Sequence, residues 1–317
     1  MEFPTTPMTT RSRVVLEIAS ELVADKTQPY NQAKVMLRVQ GGPDWPLTLF
    51  GSSTIEGIDA VVKGDAALAI MNPAAGLALA VNGKGIFKTP QPVRQITVIP
   101  SYYNYVFAVK SDTGLKSFED IGKLRPPLRL SLREQHDHWL HFSLEDIATA
   151  AGFSLKDIVS WGGQVRREGL LPWPKGEKFK ALRRGEINAI FDEAVNVWVA
   201  EAIDAGMTIL PLAESTVQRL ESMGYRRGII RKSDYQNLPA DILTIDFSGW
   251  PIFVHEGAPD DLVTRICAAL EARKHLIPWQ GEGPLPLERM CREAPDTPQV
   301  VPFHPAAERF WRERGYL

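Results

Sequence analysis

Val14, Val15, Ile18, Ala19, Leu22 and Val23 recur at helical spacing and predict an amphipathic helix over Val14–Ala24. Short apolar runs bounded by turn residues then read as strands: Val35–Val39 before Gly41-Gly42-Pro43, Leu47–Phe50 before Gly51-Ser52-Ser53-Thr54, and Ala66–Met71 before Asn72-Pro73. Helices are predicted over Ile55–Lys63 and Ala74–Val81, and strands over Arg94–Pro100 and Tyr103–Lys110. Leu128–Leu132 reads as a buried strand that runs into Arg133-Glu134-Gln135-His136-Asp137-His138. The helix after it carries Leu140, Leu144, Ile147, Ala148 and Ala151 on one stripe and stops at Gly152. His138, His141 and Glu145 fall on its other side, where His141 and Glu145 are expected as a solvated i, i+4 pair.

Trp161–Lys178, rich in Gly, Pro and Trp, reads as a loop. A helix over Phe179–Arg184 leads to a strand, Ile187–Phe191, which ends in Asp192-Glu193-Ala194-Val195-Asn196. Further strands are expected at Thr208–Pro211, Ile229-Ile230, Asp241–Phe247 and Ile252–His255, with helices over Glu214–Met223 and from Pro259 to about His275. Seven prolines between Pro278 and Pro305 mark a wrapping segment, closed by a helix over Ala306–Arg314. This alternation predicts an α/β fold built on parallel sheets.

Composition narrows the classes of function. The 317 residues are 44% hydrophobic and 23% charged, enough for two domains with cores of their own. A formal charge of -2 gives no long-range pull toward nucleic acid or an anionic membrane. The longest mostly apolar run, Ala66–Val81, is broken by Asn72, Pro73 and Gly76 and falls short of the roughly twenty residues a membrane span needs. The first residues lack a secretory pattern, because Glu17, Ser20 and Glu21 break what apolar character they have. Cys267 lies in an apolar helical pattern, and with Cys291 it makes no metal-binding spacing.

The candidate chemistry sits where strands end. Ligands of open α/β sheets bind outside the strands' carboxyl ends, near free helix amides. The Arg133–His138 and Asp192–Asn196 loops occupy such places, as do Ser52-Ser53 and Asn72. Pro100-Ser101-Tyr102-Tyr103-Asn104-Tyr105 puts three tyrosines in four positions, able to wall a cleft or to sit half-buried in a sheet. His136, His138 and His141 with Asp192 or Glu193 could hold a metal or do acid–base work. No Gly-x-Ser-x-Gly elbow, P-loop or dinucleotide fingerprint is present, so no cofactor is implied.

Several segments in order resemble the TAXI-type solute receptors of tripartite (TRAP) transporters, within the type II periplasmic-binding-protein fold. The tail Val301-Pro302-Phe303-His304-Pro305-Ala306-Ala307-Glu308-Arg309-Phe310-Trp311-Arg312-Glu313-Arg314-Gly315 is similar to that family's closing pattern, with Ala306 where glycine is usual. Ile58–Ile70, Ser117–Ile121, Arg184–Phe191 and Asn237–Ile245 match in family order. Two departures stand out: the chain starts almost at the first helix, and Arg133–His138 replace a small glycine-rich ligand loop. The resemblance implies a two-lobed fold with a ligand cleft, lobe 1 from residues 1–105 and 211–317 and lobe 2 from residues 106–210. It also implies a small, carboxylated ligand captured by lobe closure, and membrane subunits of a TRAP-type transporter as partners, with no nucleic acid and no direct membrane insertion.

On that plan Ser52, Ser53 and Asn72 of one lobe, with Tyr102 and Tyr103, would meet Arg133, Gln135, His136, His138, Asp192, Glu193 and Asn196 of the other. Trp45 and Trp250 would add apolar walls. Arg133 is the expected carboxylate partner, and its loss is expected to leave the fold intact. The alternative is an enzyme or metal-dependent protein of the cytoplasm using His136 and His138 with Asp192 and Glu193. The resemblance implies the periplasm, whereas a chain that begins at Met1 without a secretory pattern would stay in the cytoplasm.

Overall fold

The computed structural model describes residues 7–24, 30, 32–38, 46–52 and 54–317. The chain lays down β1 (Gln32–Leu37), β2 (Leu47–Ser52), β3 (Leu68–Ile70) and β4 (Val93–Ile99) before it enters a second group of strands. That group is β5 (Val106–Lys110), β6 (Arg129–Leu132), β7 (Gln164–Arg167), β8 (Ala189–Asp192) and β9 (Met207–Ile209). The chain then adds its last strands, β10 (Arg227–Ile230), β11 (Ile242–Ile245) and β12 (Trp250–His255). Two five-stranded sheets result, ordered β1-β2-β3-β12-β4 and β7-β6-β8-β5-β9, with β10 and β11 forming a separate antiparallel pair.

Neither large sheet is parallel throughout, which corrects the expectation from simple alternation. β12 inserts antiparallel between β3 and β4, and β5 inserts antiparallel between β8 and β9. The parallel pairs are β2–β3 and β6 with both β7 and β8. Helical spacing between consecutive strands predicts crossovers, but it says nothing of a strand that returns from elsewhere in the chain. β7 lies inside the stretch expected to be loop. The helix before it, Leu155–Ser160, is announced by a Ser154/Asp157 capping box, with Ser154 N donating to Asp157 Oδ2 at 2.8 Å and Asp157 N to Ser154 Oγ at 3.2 Å. The first helix begins at Pro7, ahead of the expected Val14.

The period-2 pattern of the central strands assigns them to two cores. In β5, Phe107 and Val109 join a core shared with Phe50, Leu79, Trp139, Phe247 and Phe253, while Val106 and Ala108 join one with Phe179, Trp198 and Ile230. A third core packs Ile96, Ile252, Val254, Val263, Cys267 and Trp311. Elements from the two large sheets also touch directly. Helix Ala74–Asn82 approaches helix Trp139–Ala150 so closely that a Cβ on Gly76 would lie 2.5 Å from Met71 Cε and 3.2 Å from the Trp139 ring. Among the described residues no helix is long and apolar enough to cross a membrane.

Between the sheets the chain crosses as an antiparallel pair, in which Tyr105 N donates to Ile245 O at 2.9 Å and Phe247 N to Tyr103 O at 2.8 Å. Asp246 is buried here, with Arg226 at 3.8 Å and Ser248 N donating to its Oδ1 at 3.2 Å. Burial pushes its carboxyl up to about 6 against the pull of Ser248 and Arg226. A carboxyl raised on folding stabilises most below its unfolded pKa, and that contribution is lost as pH climbs through about 6. The ionised group therefore costs roughly 2–3 kcal/mol above that pH. Asp246→Asn is expected to raise the melting temperature at pH 8 and leave it nearly unchanged at pH 4.5. Equal shifts at both pH values would refute the assignment.

Candidate functional site

β6 and β8 are parallel neighbours, so the loops that leave their carboxyl ends emerge side by side. Leu132 leads into Arg133, and Asp192, the last residue of β8, into Glu193 and Ala194. Ala194 takes a left-handed conformation (φ 59°) and turns the chain sharply into helix Val195–Asp204. Arg133 Nε reaches Asp192 Oδ1 at 3.0 Å and Nη2 reaches the same oxygen at 2.5 Å; Nη2 also contacts Glu193 Oε1. The side chains of Arg133, Asp192 and Glu193 are only 12%, 0% and 5% exposed. Glu193 is held in place by its backbone, whose N–H donates to Asp192 Oδ1 at 2.8 Å and whose carbonyl accepts from Trp198 Nε1 at 2.6 Å.

Burial of these charges sets their protonation. It opposes the Arg133 guanidinium, yet Asp192 and Glu193 outweigh it and make Arg133 harder still to deprotonate. Burial, with the Asp192 charge beside it, pushes the Glu193 carboxyl up against the pull of Arg133. Asp192 Oδ2 and Glu193 Oε2 are buried without a hydrogen-bond partner. Lys178, on helix Glu177–Arg183, donates from Nζ to Leu132 O at 2.9 Å, and burial lowers it to about 8.

His138 caps helix Trp139–Ala150, its Nδ1 accepting from Leu140 N at 3.2 Å. Its Nε2 lies 3.2 Å from Arg133 Nη1. Phe247 stacks on the ring at 6.0 Å between centroids, and Thr54 pairs with His138 through the backbone, bringing the loop after β2 against the loop after β6. Burial first, then Arg133, holds His138 well below the usual histidine range, so the ring is neutral. His141 is only 6% exposed, not a solvated partner of Glu145, and burial lowers it to about 4. It turns inward because the helix is covered on both sides, which one apolar stripe does not reveal.

The other expected residues divide into those at the cluster and those away from it. Tyr103 is half-buried; burial, countered by its contact with Gln280, raises its hydroxyl, and the Glu193 charge adds to that. Ser52 Oγ lies 2.8 Å from Thr54 Oγ1 and accepts from Thr54 N at 3.1 Å. Asn72 is half-buried with Oδ1 unpartnered. Asn196 is exposed and donates to Tyr102 O at 3.3 Å, while the Tyr102 hydroxyl donates to Ile229 O at 3.2 Å. Gln135 accepts from His138 N at 3.1 Å through its carbonyl. His136 is exposed, its ring 6.3 Å from that of His141. Trp250 packs into the third core with Ile252 and Val254 and is not brought to the cluster. Trp45 and Ser53 lie outside the described residues.

Sequence reasoning missed Thr54, Phe247, Lys178 and the Tyr105–Ser143 hydroxyl pair beneath the cluster. Local signals existed for Thr54, in a Gly-Ser-Ser-Thr turn, and for Tyr105, in the run of three tyrosines, but not for the other residues. Among the described residues no group of three or more His, Cys, Asp and Glu side chains is arranged to hold a metal ion. A cavity of 640 Å³ opens elsewhere, between Lys274, Leu285, Arg289, Arg292 and Tyr316.

Solved structures similar to this chain are distant. An alkanesulfonate-binding protein from Xanthomonas axonopodis pv. citri shares 14% identity over 69% of this chain and 59% of its own length, with a TM-score of 0.34. A TctC solute-binding protein from Polaromonas shares 14% over 69% of this chain and 67% of its own, with a TM-score of 0.34. The substrate-binding protein of an amino acid ABC transporter shares 15% over 68% and 69%, with a TM-score of 0.29. The sequence itself matches a family model across residues 48–315, from the second strand to the last helix. The chain belongs to the NMT1-like family.

Proposed function

We propose that this chain is a solute-binding protein that closes two lobes, residues 1–105 with 211–317 and residues 106–210, on a small ligand at the strand ends. The observation that carries the reading is the convergence of Arg133, His138, Asp192 and Glu193 where β6 and β8 end, with Thr54 from the loop after β2 paired against His138. Such a site can be opened by moving one sheet away from the other, which is how a hinge couples binding to closure. The tail motif and the ordered matches along the chain support a receptor of the TAXI type, working with membrane subunits of a transporter.

The ligand in this reading is a small carboxylate. Arg133 keeps one edge of its guanidinium, Nη1, clear of Asp192 and Glu193, and that edge is the attraction for a ligand oxygen. Asp192 Oδ2 and Glu193 Oε2 favour an N–H or O–H donor on the same molecule. Native mass spectrometry of the purified protein, followed by thermal melts with small mono- and dicarboxylates and their carboxamides, tests this. At a hundredfold excess over Kd a true ligand stabilises by about 2.7 kcal/mol. Stabilisation by carboxamides and not by carboxylates would overturn the ligand class, and conversion of a bound compound during incubation would overturn the binding role.

A further inference from the structure

Two histidines in this chain cap helices in the same way, and only one of them is complete. His304 precedes helix Pro305–Glu313, its Nδ1 accepting from Ala306 N at 3.2 Å. A neutral imidazole whose Nδ1 accepts must carry its proton on Nε2, and that N–H of His304 has an acceptor, Ala258 O at 3.1 Å. His138 repeats the first half, with Nδ1 accepting from Leu140 N at 3.2 Å. Leu140 is fully buried, so its N–H has no water to turn to, and the capping bond favours the tautomer with its proton on Nε2. What faces His138 Nε2 is not a carbonyl but Arg133 Nη1 at 3.2 Å.

A guanidinium nitrogen only donates. In that tautomer two N–H groups face one another, and among the described residues neither has an oxygen to bond. The rest of Arg133 cannot relieve this, because Nε and Nη2 are committed to Asp192 and Glu193. Protonating the ring would add a charge and leave two donors facing donors. The arrangement is satisfied by one acceptor oxygen seated to one side of the pair, within hydrogen-bond reach of both nitrogens.

We propose that His138 Nε2–H and Arg133 Nη1 form a two-donor subsite for a single acceptor oxygen of the ligand, which makes His138 a specificity-determining residue. The proposal rests on the solute-binding reading for its biological sense, but its chemistry is tested without knowing the natural ligand. The oxygen can belong to a carboxylate or to a neutral carbonyl, and formate and formamide serve as the two probes.

Nitrogen-15 NMR of histidine-labelled protein at pH 7 is expected to show His138 neutral and protonated on Nε2, in the same pattern as His304. Protonation on Nδ1, or an imidazolium, overturns the proposal. Titration with formate and formamide is expected to move the His138 Nε2 resonance with at least one of them; no movement with either also overturns it. His138→Asn keeps an oxygen to cap Leu140 N–H while deleting the Nε2 donor. It is expected to fold, with a melting temperature lowered only by the lost ring contact with Phe247, and to weaken binding of the responsive probe by roughly tenfold or more. Unchanged affinity in this variant counts against the subsite. Failure of the carboxylate panel and of native mass spectrometry would remove the transport reading and leave these results standing by themselves.

Discussion

Replacing Arg133 with alanine is expected to lower stability by about 3–5 kcal/mol, because it strips two buried carboxylates of the cation that hydrogen-bonds to both. Asp192 and Glu193 are within reach of its guanidinium, and each already has one buried oxygen without a partner. Losing Arg133 would leave both groups paying their full desolvation cost. For a chain of this size the melting temperature should fall on the order of 10 °C. The sign with pH follows from the same cause. Carboxyls without a cation in a buried site have raised folded-state pKa values, so the variant should regain stability on acidification and lose it as pH rises. Melts of wild type and Arg133→Ala at pH 5 and pH 8 check this, and a variant within about 2 °C of wild type at pH 8 would refute the pairing. Arg133→Lys should rescue little, since an ammonium cannot span both carboxylates.

Trp311→Ala is expected to cost about 3–5 kcal/mol through lost packing. The side chain is 0% exposed, and its ring stacks edge-on against Phe310 at 5.0 Å and Tyr316 at 5.8 Å. Its Nε1 donates to Ile96 O at 2.8 Å, tying the last helix to β4. Trp311→Phe separates the two contributions, because it keeps most of the ring and removes the N–H. Leaving the Ile96 carbonyl unpaired should cost about 1–3 kcal/mol. Urea unfolding of both variants is the measurement; a phenylalanine variant as damaged as the alanine one would show that packing is the lesser part.

The order of elements could be read from the sequence because each strand and helix carries its own period. The polar loops after β6 and β8 could be read too, since Arg133–His138 and Asp192–Asn196 interrupt apolar runs where no core can accept them. What could not be read was pairing across distance. Arg133 and Asp192 stand 59 positions apart, and nothing local to Arg133 says that its charge is already answered. This is why the sequence alone predicts an intact fold without Arg133, whereas the buried pairing predicts damage. His141 failed for a related reason, since spacing on a helix gives a face and not the neighbour that covers it. β7 hid in a segment rich in Gly, Pro and Trp, because an edge strand of four residues needs little apolar pattern of its own.

The placement of β12 bears on how the molecule comes into being on the ribosome. Strands β5 to β9 are consecutive along the chain, so every member of their sheet has been synthesised by Ile209. The other sheet has β3 and β4 early but is missing the strand between them until Trp250–His255 emerges, and Phe303 then adds beside Gln95 at its far edge. Nascent chains therefore carry a period in which β3 and β4 have open, unpaired edges with no partner yet made, while the later-encoded sheet can already be whole. The order of synthesis thus lets the β5–β9 sheet be completed before β3 and β4 gain the strand that joins them.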